Sequence, residues 1–337
     1  MEDTSLSVAG WLKIRAFTMI FLGFWMITPP IIPLFIAYLL YVRFILFAPI
    51  FALYLVWFGF TYRWPERGSM PSLWFRTHAP YMAWAGDYFN YRIVKTEELP
   101  TDRNYIVGSH PHGLLCLGMF MSFSSYMAGI TSLYNGIRFW SVTLAGQFFS
   151  PIRREIIMLA GIGAVTKRNI QWVVRRPEKG QAVSITIGGL NEAIVAAPGQ
   201  YYLKLKDRKG FAKLALTEGA DLVPMFHFGE NEMYEAVEGI CPIRLRNMQA
   251  RLLRTFGFCP PLLIGRSMLG LPWGGLVPIQ TRMESVIGGA IRVEKSAKPT
   301  DEEVDKLHAK YCEKLVDLFE AHKANYGIRP EQKIVLY

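Results

Sequence analysis

The pattern of hydrophobic and polar positions divides the chain into an uncharged N-terminal part and a longer part in which apolar runs alternate with polar turns. No charged side chain occurs from Ala16 to Val42 or from Phe44 to Tyr62, and Arg43 alone separates these two runs. Each run approaches the roughly 20 residues that a helix needs to span a bilayer. We therefore predict a transmembrane or re-entrant helical hairpin over residues 16–62, which follows a cytosolic segment of residues 1–15.

Prolines within the two runs and basic residues beside them indicate how this hairpin would lie in a membrane. The first run contains Pro29, Pro30 and Pro33 and the second contains Pro49, so kinked or re-entrant helices are both compatible with the pattern. Basic residues stand on both sides of the pair, which by the positive-inside tendency puts both flanks in the cytosol. A cleavable signal peptide is the alternative for the first run, but that run is longer than a usual signal sequence and a second run follows at once.

From residue 63 onward, β-rich runs alternate with helical ones. The predicted strands are Tyr105–Val107, Ile137–Thr143, Val183–Ile187, Leu222–Phe228 and Val286–Val293. The predicted helices are Leu114–Ala128, Pro151–Leu159, Asn169–Arg175 and Phe211–Glu218. Such alternation is typical of an α/β fold, here a mixed sheet with helices on both faces in a cytosol-facing domain of residues 63–337.

Two further segments complete this interpretation. The aromatic stretch Trp64–Asn90 is expected to be irregular and to serve either as an interfacial belt or as packing between hairpin and domain. Near the C-terminus, Thr300 and Glu303 form a capping box ahead of apolar residues at helical spacing. We expect this C-terminal helix to be a packing element without a chemical role.

The most reactive pattern in the chain is the run His110-Pro111-His112-Gly113, between the first predicted strand and a helix. Proline favours an extended residue before it, so the two imidazoles should project from the same side of the chain. The helix N-terminus disfavours imidazolium and offers N–H groups to an oxyanion. The alternative for either histidine alone is a structural hydrogen bond within the turn.

Polar groups follow other predicted strands. Glu192 lies just beyond Gly188-Gly189, where its carboxylate is expected to orient a histidine of the turn. Cations that suit a phosphate stand near the starts of two helices, namely Arg208 and Lys209, with Lys167 and Arg168. The strand Leu222–Phe228 runs into a third polar set, which contains Glu230 and Asn231.

Charge and cysteine usage narrow the function classes. A net charge of +10 favours an acidic partner, whether nucleic acid, anionic headgroups or a phosphate-bearing cofactor, but nothing here resembles a nucleic-acid module. The four cysteines (Cys116, Cys241, Cys259 and Cys312) lack metal-ligand spacing and fit reduced cytosolic thiols. The sequence lacks the motifs of serine hydrolases, P-loop NTPases and dinucleotide-binding enzymes, and it therefore argues against these three classes of enzyme.

These motifs together resemble a known family. The matching runs are His110-Pro-His-Gly113, Gly188-Gly-x-x-Glu192 and Arg208-Lys-Gly-Phe-Ala-Lys-Leu-Ala-Leu-x-x-Gly219, continued through Pro224 to Asn231. They look like the type-2 diacylglycerol acyltransferases and the related monoacylglycerol acyltransferases, over nearly the whole chain. The resemblance to glycerolipid acyltransferases with an HxxxxD motif is more distant, because Leu115 stands where their Asp would be. Asn90 and Ala290 also depart from the family's pattern.

The resemblance implies an O-acyltransferase that esterifies diacylglycerol or monoacylglycerol with acyl-CoA as co-substrate and no other cofactor. A long-chain alcohol is an alternative acceptor. The location it implies is the endoplasmic reticulum membrane, with the active site facing the cytosol, or a lipid droplet surface. Whether the chain forms a homo-oligomer stays open.

The roles follow from the same resemblance and from acyl-transfer chemistry, which needs one base for the hydroxyl. We assign His112 as the base with His110 beside it, although the reverse assignment is nearly equivalent, and Glu192 as the orienting acid. Substrate contacts are expected from Gly113, Arg208, Lys209, Lys167, Arg168, Glu230 and Asn231.

Two other classes stay in view. His110 and His112 with His227 from another strand form a candidate zinc set, which would make the protein a metal-dependent membrane lipid hydrolase. A non-catalytic lipid-surface protein would keep the hairpin, but it has no use for the paired histidines.

Overall fold

The computed structural model describes residues 7–235, 248, 251, 264–267 and 274–337. Two of the predicted thiols, Cys241 and Cys259, lie outside the described residues. The α-helices are α1 Val8–Leu22, α2 Thr28–Val42, α3 Phe44–Thr61, α4 Leu73–His78, α5 Pro80–Phe89, α6 Leu117–Met119, α7 Ile130–Leu133, α8 Arg153–Leu159, α9 Lys167–Val174, α10 Leu190–Val195, α11 Gly210–Glu218 and α12 Asp301–His322. The strands are β1 Arg92–Lys95, β2 Tyr105–His110, β3 Arg138–Thr143, β4 Ile162–Ala164, β5 Gln181–Thr186, β6 Tyr201–Leu203, β7 Asp221–Phe228, β8 Glu284–Ile287 and β9 Ile334–Leu336.

The main sheet has seven strands in the order β1-β8-β7-β2-β5-β3-β4. Strands β7, β2, β5, β3 and β4 are parallel to one another, whereas β8 runs antiparallel to β7 and β1 follows β8. The predicted mixed sheet is therefore confirmed. Because β2 pairs with β5 and β7, its last residue, His110, lies in the middle of the edge where the parallel strands end.

Two apolar layers cover the sheet and confirm the prediction of helices on both faces. One layer contains residues of α1, α5 and α6, and the other contains residues of α9, α11 and α12. The N-termini of α9 and α11 both lie at the edge that carries His110, because each helix returns from that edge to the start of the next strand.

Several predicted elements differ in extent. The stretch Trp64–Asn90 is not irregular, because it contains the short helices α4 and α5, of which α5 packs against α1. The helix predicted over Leu114–Ala128 begins only at Leu117 and continues as a π-helical turn over Phe120–Ser124. Helix α8 begins at Arg153 rather than at Pro151, since Ile152 has a left-handed backbone with φ of +65°.

The N-terminal hairpin is present. Among the described residues, two helical stretches are long and apolar enough to cross a membrane, namely Val8–Val42, which includes a π-helical turn, and Phe44–Glu66. Their meeting point is exposed, with Tyr41 89% and Ile45 91% accessible. The predicted start at residue 16 falls inside α1, whose Ile14 and Phe17 are fully buried within the apolar layer that contains α5.

Two adjacent buried arginines fasten the hairpin to the domain. The Arg153 Nε donates to the carbonyl oxygen of Phe24 at 3.1 Å, in the π-helical turn between α1 and α2. The Arg154 guanidinium donates to the hydroxyl and the carbonyl oxygen of Thr61, each at 2.9 Å, at the end of α3. Helix α8 therefore contacts both long apolar helical stretches where they meet the domain.

Candidate active site

His110 is completely buried and its ring is held by Tyr311 of α12. The His110 Nε2 lies 3.0 Å from the Tyr311 hydroxyl, which in turn lies 3.2 Å from the carbonyl oxygen of Gly108. A carbonyl only accepts, so the tyrosine donates to Gly108 and the His110 Nε2–H donates to the tyrosine. The lone pair is then on Nδ1, which has no hydrogen-bond partner among the described residues.

The contact with Tyr311 depends on Gly108. A Cβ at Gly108 would lie 1.8 Å from the tyrosine hydroxyl, so only glycine admits it. This contact could not be predicted from the sequence, because a tyrosine on the apolar face of a helix is indistinguishable there from a core residue.

His112 is only partly buried, and its tautomer is also set by a carbonyl. Its Nδ1 lies 2.9 Å from the carbonyl oxygen of Gly113, so Nδ1 carries the proton and Nε2 carries the lone pair. Burial lowers the pKa of His112, and burial together with His227 lowers that of His110 to about 3. Both imidazoles are neutral as predicted, but burial and not the helix N-terminus is the main cause.

Glu192 supports the turn through the main chain. Its Oε2 accepts from the N–H of His112 at 2.8 Å, and its Oε1 accepts from the N–H of Lys204 at 2.9 Å. The prediction that this carboxylate contacts an imidazole is therefore wrong, because both of its oxygens accept hydrogen bonds from main-chain N–H groups. Burial raises the pKa of Glu192 to about 7.

Glu230 caps the helix that follows the turn. Its two oxygens accept from the N–H groups of Leu117 at 2.9 Å and Gly118 at 2.7 Å, and burial raises its pKa to about 7. Gly113, with φ of +56°, packs against it so closely that a Cβ there would lie 2.4 Å from the Glu230 Cγ. These two N–H groups, which were expected to bind an oxyanion, are therefore already bound by Glu230. The contact between Glu230 and Gly113 is likewise structural and accounts for a glutamate and a glycine at these positions.

The remaining predicted substrate contacts lie at the same edge of the sheet. Asn231 donates through Nδ2 to the carbonyl oxygen of Gln200 at 2.8 Å, while its buried Oδ1 lacks a partner within the described part of the chain. The four cations are exposed at the starts of α9 and α11. Arg168 pairs with Glu66 at 3.6 Å, and Lys209 pairs with Asp305 at 2.6 Å.

The third histidine of the zinc hypothesis, His227, is buried and lies 2.7 Å through Nδ1 from the Ser285 hydroxyl. Within the described ranges, no group of three or more His, Cys, Asp or Glu side chains is arranged to hold a metal ion. The hydrolase alternative therefore has no ligand set in that part of the chain.

Comparison with known proteins agrees with the resemblance. Residues 38–337 match the family described as diacylglycerol acyltransferase. The chain belongs to the diacylglycerol acyltransferase family. It is 38% identical over 280 residues to human 2-acylglycerol O-acyltransferase 3, which covers 83% of this chain and 82% of that one. It is 40% identical over 286 residues to mouse diacylglycerol O-acyltransferase 2, with 84% and 72% covered.

Among solved structures, the 1-acyl-sn-glycerophosphate acyltransferase from Thermotoga maritima aligns with a TM-score of 0.42 and 11% identity, over 92% of this chain and 97% of that one. Membership of the family makes this protein an acyltransferase, as the motifs implied.

Proposed function

We propose that this member of the diacylglycerol acyltransferase family transfers an acyl group from acyl-CoA to a hydroxyl of a neutral acylglycerol, giving diacylglycerol or triacylglycerol. The observation that carries the chemical assignment is His112. Its Nδ1–H is bound by the Gly113 carbonyl oxygen, so an Nε2 lone pair is left on a partly exposed ring at the end of the central strand.

In the proposed reaction the His112 Nε2 takes the proton of the acceptor hydroxyl while that oxygen attacks the thioester carbonyl. The tetrahedral intermediate then expels the CoA thiolate, which takes the proton back from Nε2. No net proton is released, and a neutral base suffices because a thiolate leaves readily. Glu192 supports this step indirectly by holding the main chain of His112.

The cations at the starts of α9 and α11 are proposed to bind the phosphates of acyl-CoA. Strands β2 and β4 are three positions apart in the sheet, so Lys167 after β4 lies roughly 14 Å from the His turn. This separation suits a donor whose phosphates are distant from its thioester. The ion pairs of Arg168 and Lys209 are exposed and therefore weak, so a phosphate can replace their carboxylates.

The acceptor is proposed to reach the site from the bilayer, with the domain on the cytosolic side of the endoplasmic reticulum membrane or at a lipid droplet surface. Exposed apolar side chains on α2 and α3 support a membrane location.

The test uses membranes that contain the full chain, labelled oleoyl-CoA, and monoacylglycerol, diacylglycerol or a long-chain alcohol as separate acceptors. His112→Ala is expected to reduce ester formation at least about 100-fold, because general base catalysis contributes that much. Lys167→Glu with Arg208→Glu is expected to raise the KM for oleoyl-CoA several-fold.

Lys179→Glu is the matched control for the charge reversals, because Lys179 is exposed before β5 at the opposite edge of the sheet. Phosphatidate as the sole product, or fatty acid release without any dependence on acceptor, would contradict the proposed function. Full activity of His112→Ala would exclude its role as base and leave His110 as the candidate.

A further inference from the structure

The loop between β3 and α8, residues 144–152, exposes apolar side chains where a surface loop is normally polar. It contains no charged side chain. Phe149 is 63% exposed and Ile152 is 57% exposed, and Leu144 at the start of the loop is also exposed. Apolar side chains grouped in this way on a surface mark an interaction site.

The β3–α8 loop lies alongside α3. The N–H of Ile152 donates to the hydroxyl of Tyr54 at 3.4 Å. Further along α8, the Arg154 Cζ lies 4.4 Å from the centre of the Phe58 ring, and the same guanidinium binds Thr61. Helix α8 therefore runs beside the second half of α3 in the same direction, and its N-terminal end is the one nearer the tip of the hairpin.

This packing sets how deep the loop lies along the hairpin. Thr61 is the last residue of α3, and Tyr54 precedes it by about two helical turns, or roughly 10 Å. The tyrosine side chain does not shorten this separation, because helical side chains tilt towards the helix N-terminus, which here is the tip of the hairpin. Ile152 therefore lies well beyond the end of α3, on the side of the tip.

A charged pair marks the level at which α3 ends. Arg168, at the start of α9, pairs with Glu66 just after α3, at 3.6 Å. Charged groups of this kind suit the headgroup level of a bilayer, while the uncharged loop that contacts Tyr54 suits the hydrocarbon beneath it.

The side chains of α3 beside this contact are exposed and apolar. Leu53 is 72% exposed and Phe60 is 74% exposed, and each adjoins on the helix a residue that faces α8. The apolar surface of the loop is thus continuous with that of a helical stretch long and apolar enough to cross a membrane. The medium that covers α3 therefore also covers Phe149 and Ile152.

The main chain of the loop is suited to lipid, where unpaired polar groups are costly. The N–H of Gln147 donates to the carbonyl oxygen of Leu144 at 3.0 Å, and the carbonyl oxygen of Gln147 accepts from the Arg153 Nη1 at 3.0 Å. Ile152 has a φ of +65°, which a β-branched residue adopts only where its surroundings impose it. The loop is therefore a fixed turn that presents its apolar side chains outward.

We propose that the β3–α8 loop inserts Phe149 and Ile152 into the hydrocarbon layer of a phospholipid bilayer, as a membrane contact additional to the hairpin. Strand β3 ends at the same edge of the sheet as β2, two positions away and so roughly 10 Å from His110. Insertion of the loop turns the edge that carries the His turn towards the lipid. This inference goes beyond the proposed function, because it concerns how the domain sits on the bilayer and not which reaction it performs.

The experiment places a photo-cross-linking side chain on the loop. In the full chain, Phe149 is replaced by p-benzoylphenylalanine, which keeps the ring and bonds to nearby C–H groups on irradiation. The chain is reconstituted into phosphatidylcholine vesicles and irradiated, and the lipid adducts are located by mass spectrometry. Leu53 of α3 is the positive reference, and Lys179, exposed at the opposite edge of the sheet, is the matched control.

The label at Phe149 is expected to form adducts on acyl carbons with a yield within about threefold of that at Leu53 and at least about tenfold above that at Lys179. If the chain labelled at Phe149 fails to fold, the same label at Ile152 decides. Adducts on the headgroup only, or adducts within the chain or to a second copy of it in place of lipid, overturn the inference. So does a yield no higher than that at Lys179. Because the readout is a lipid adduct and not a reaction product, failure of the proposed acyl transfer would leave this result unaffected.

Discussion

At the residue scale, two buried carboxyls organise the site by binding main-chain N–H groups. Glu192 binds the N–H of His112, and Glu230 binds the N–H groups of Leu117 and Gly118. Both have a pKa raised to about 7 by burial. They fix the turn and the helix that follows it. Because burial disfavours the charged form of each carboxyl, ionisation of either one destabilises the folded chain.

The consequence for stability has a definite sign. Between pH 4.5 and about 7 the folded chain retains a proton on Glu230 that the unfolded chain has lost, so the free energy of unfolding falls as pH rises through this range. The full effect is roughly 3 kcal/mol. Glu230→Gln has no ionisable group at this position, so the variant lacks this loss of stability with rising pH. We therefore expect the difference in unfolding temperature between wild type and variant to shrink as pH rises from 5 to about 7.5. Thermal unfolding in detergent at each pH measures this, and a difference that widens with pH would contradict it.

The sequence predicted which residues gather at this edge but not what they touch. Glu192 and Glu230 follow strands, and the carboxyl ends of parallel strands meet at one edge. Their partners are main-chain N–H groups, which every residue except proline has, so no side-chain pattern in the sequence predicts these contacts. The π-helical turn after Met119 likewise leaves no periodic signal in an apolar run.

At the element scale, α12 illustrates both success and failure of prediction. Its capping box of Thr300 and Glu303 is local and was confirmed. Its packing partner was not accessible to sequence reasoning, since Tyr311 meets His110 across 201 positions. The helix predicted to have no chemical role therefore holds one ring of the site.

Tyr311→Phe tests this contact. Loss of the hydroxyl leaves the His110 Nε2–H without its acceptor, so the ring and the turn that it belongs to become less fixed, and kcat should fall about tenfold with little change in KM. Tyr134→Phe is the matched control, because the Tyr134 hydroxyl is buried without a partner in the described part of the chain. Steady-state kinetics in membranes decides, and equal kcat for Tyr311→Phe and Tyr134→Phe would exclude the role.

At the scale of the whole molecule, two helical stretches of membrane length enter and leave the domain on the same side. Helices α2 and α3 have 15 and 18 residues, which correspond to roughly 22 and 27 Å. Helix α1 and the chain after α3 both pack on the domain that carries the His turn.

This arrangement predicts that both termini face the cytosol. Tags placed at each end should be cleaved by protease added to sealed microsomes, while a lumenal marker protein stays intact. Protection of only one tag would require an odd number of crossings and would rule out the hairpin.

The two arginines of α8 have a practical consequence for anyone who wishes to detach this enzyme from lipid. A fragment that starts after α3 would lose the acceptors at Phe24 and Thr61, while the contacts of Arg153 with Gln147 and of Arg154 with Glu155 would remain. It would also uncover the apolar groove filled by Ile14 and Phe17. The hairpin is thus as much a part of the folded enzyme as its sheet. A water-soluble version will need a new polar cover for that groove.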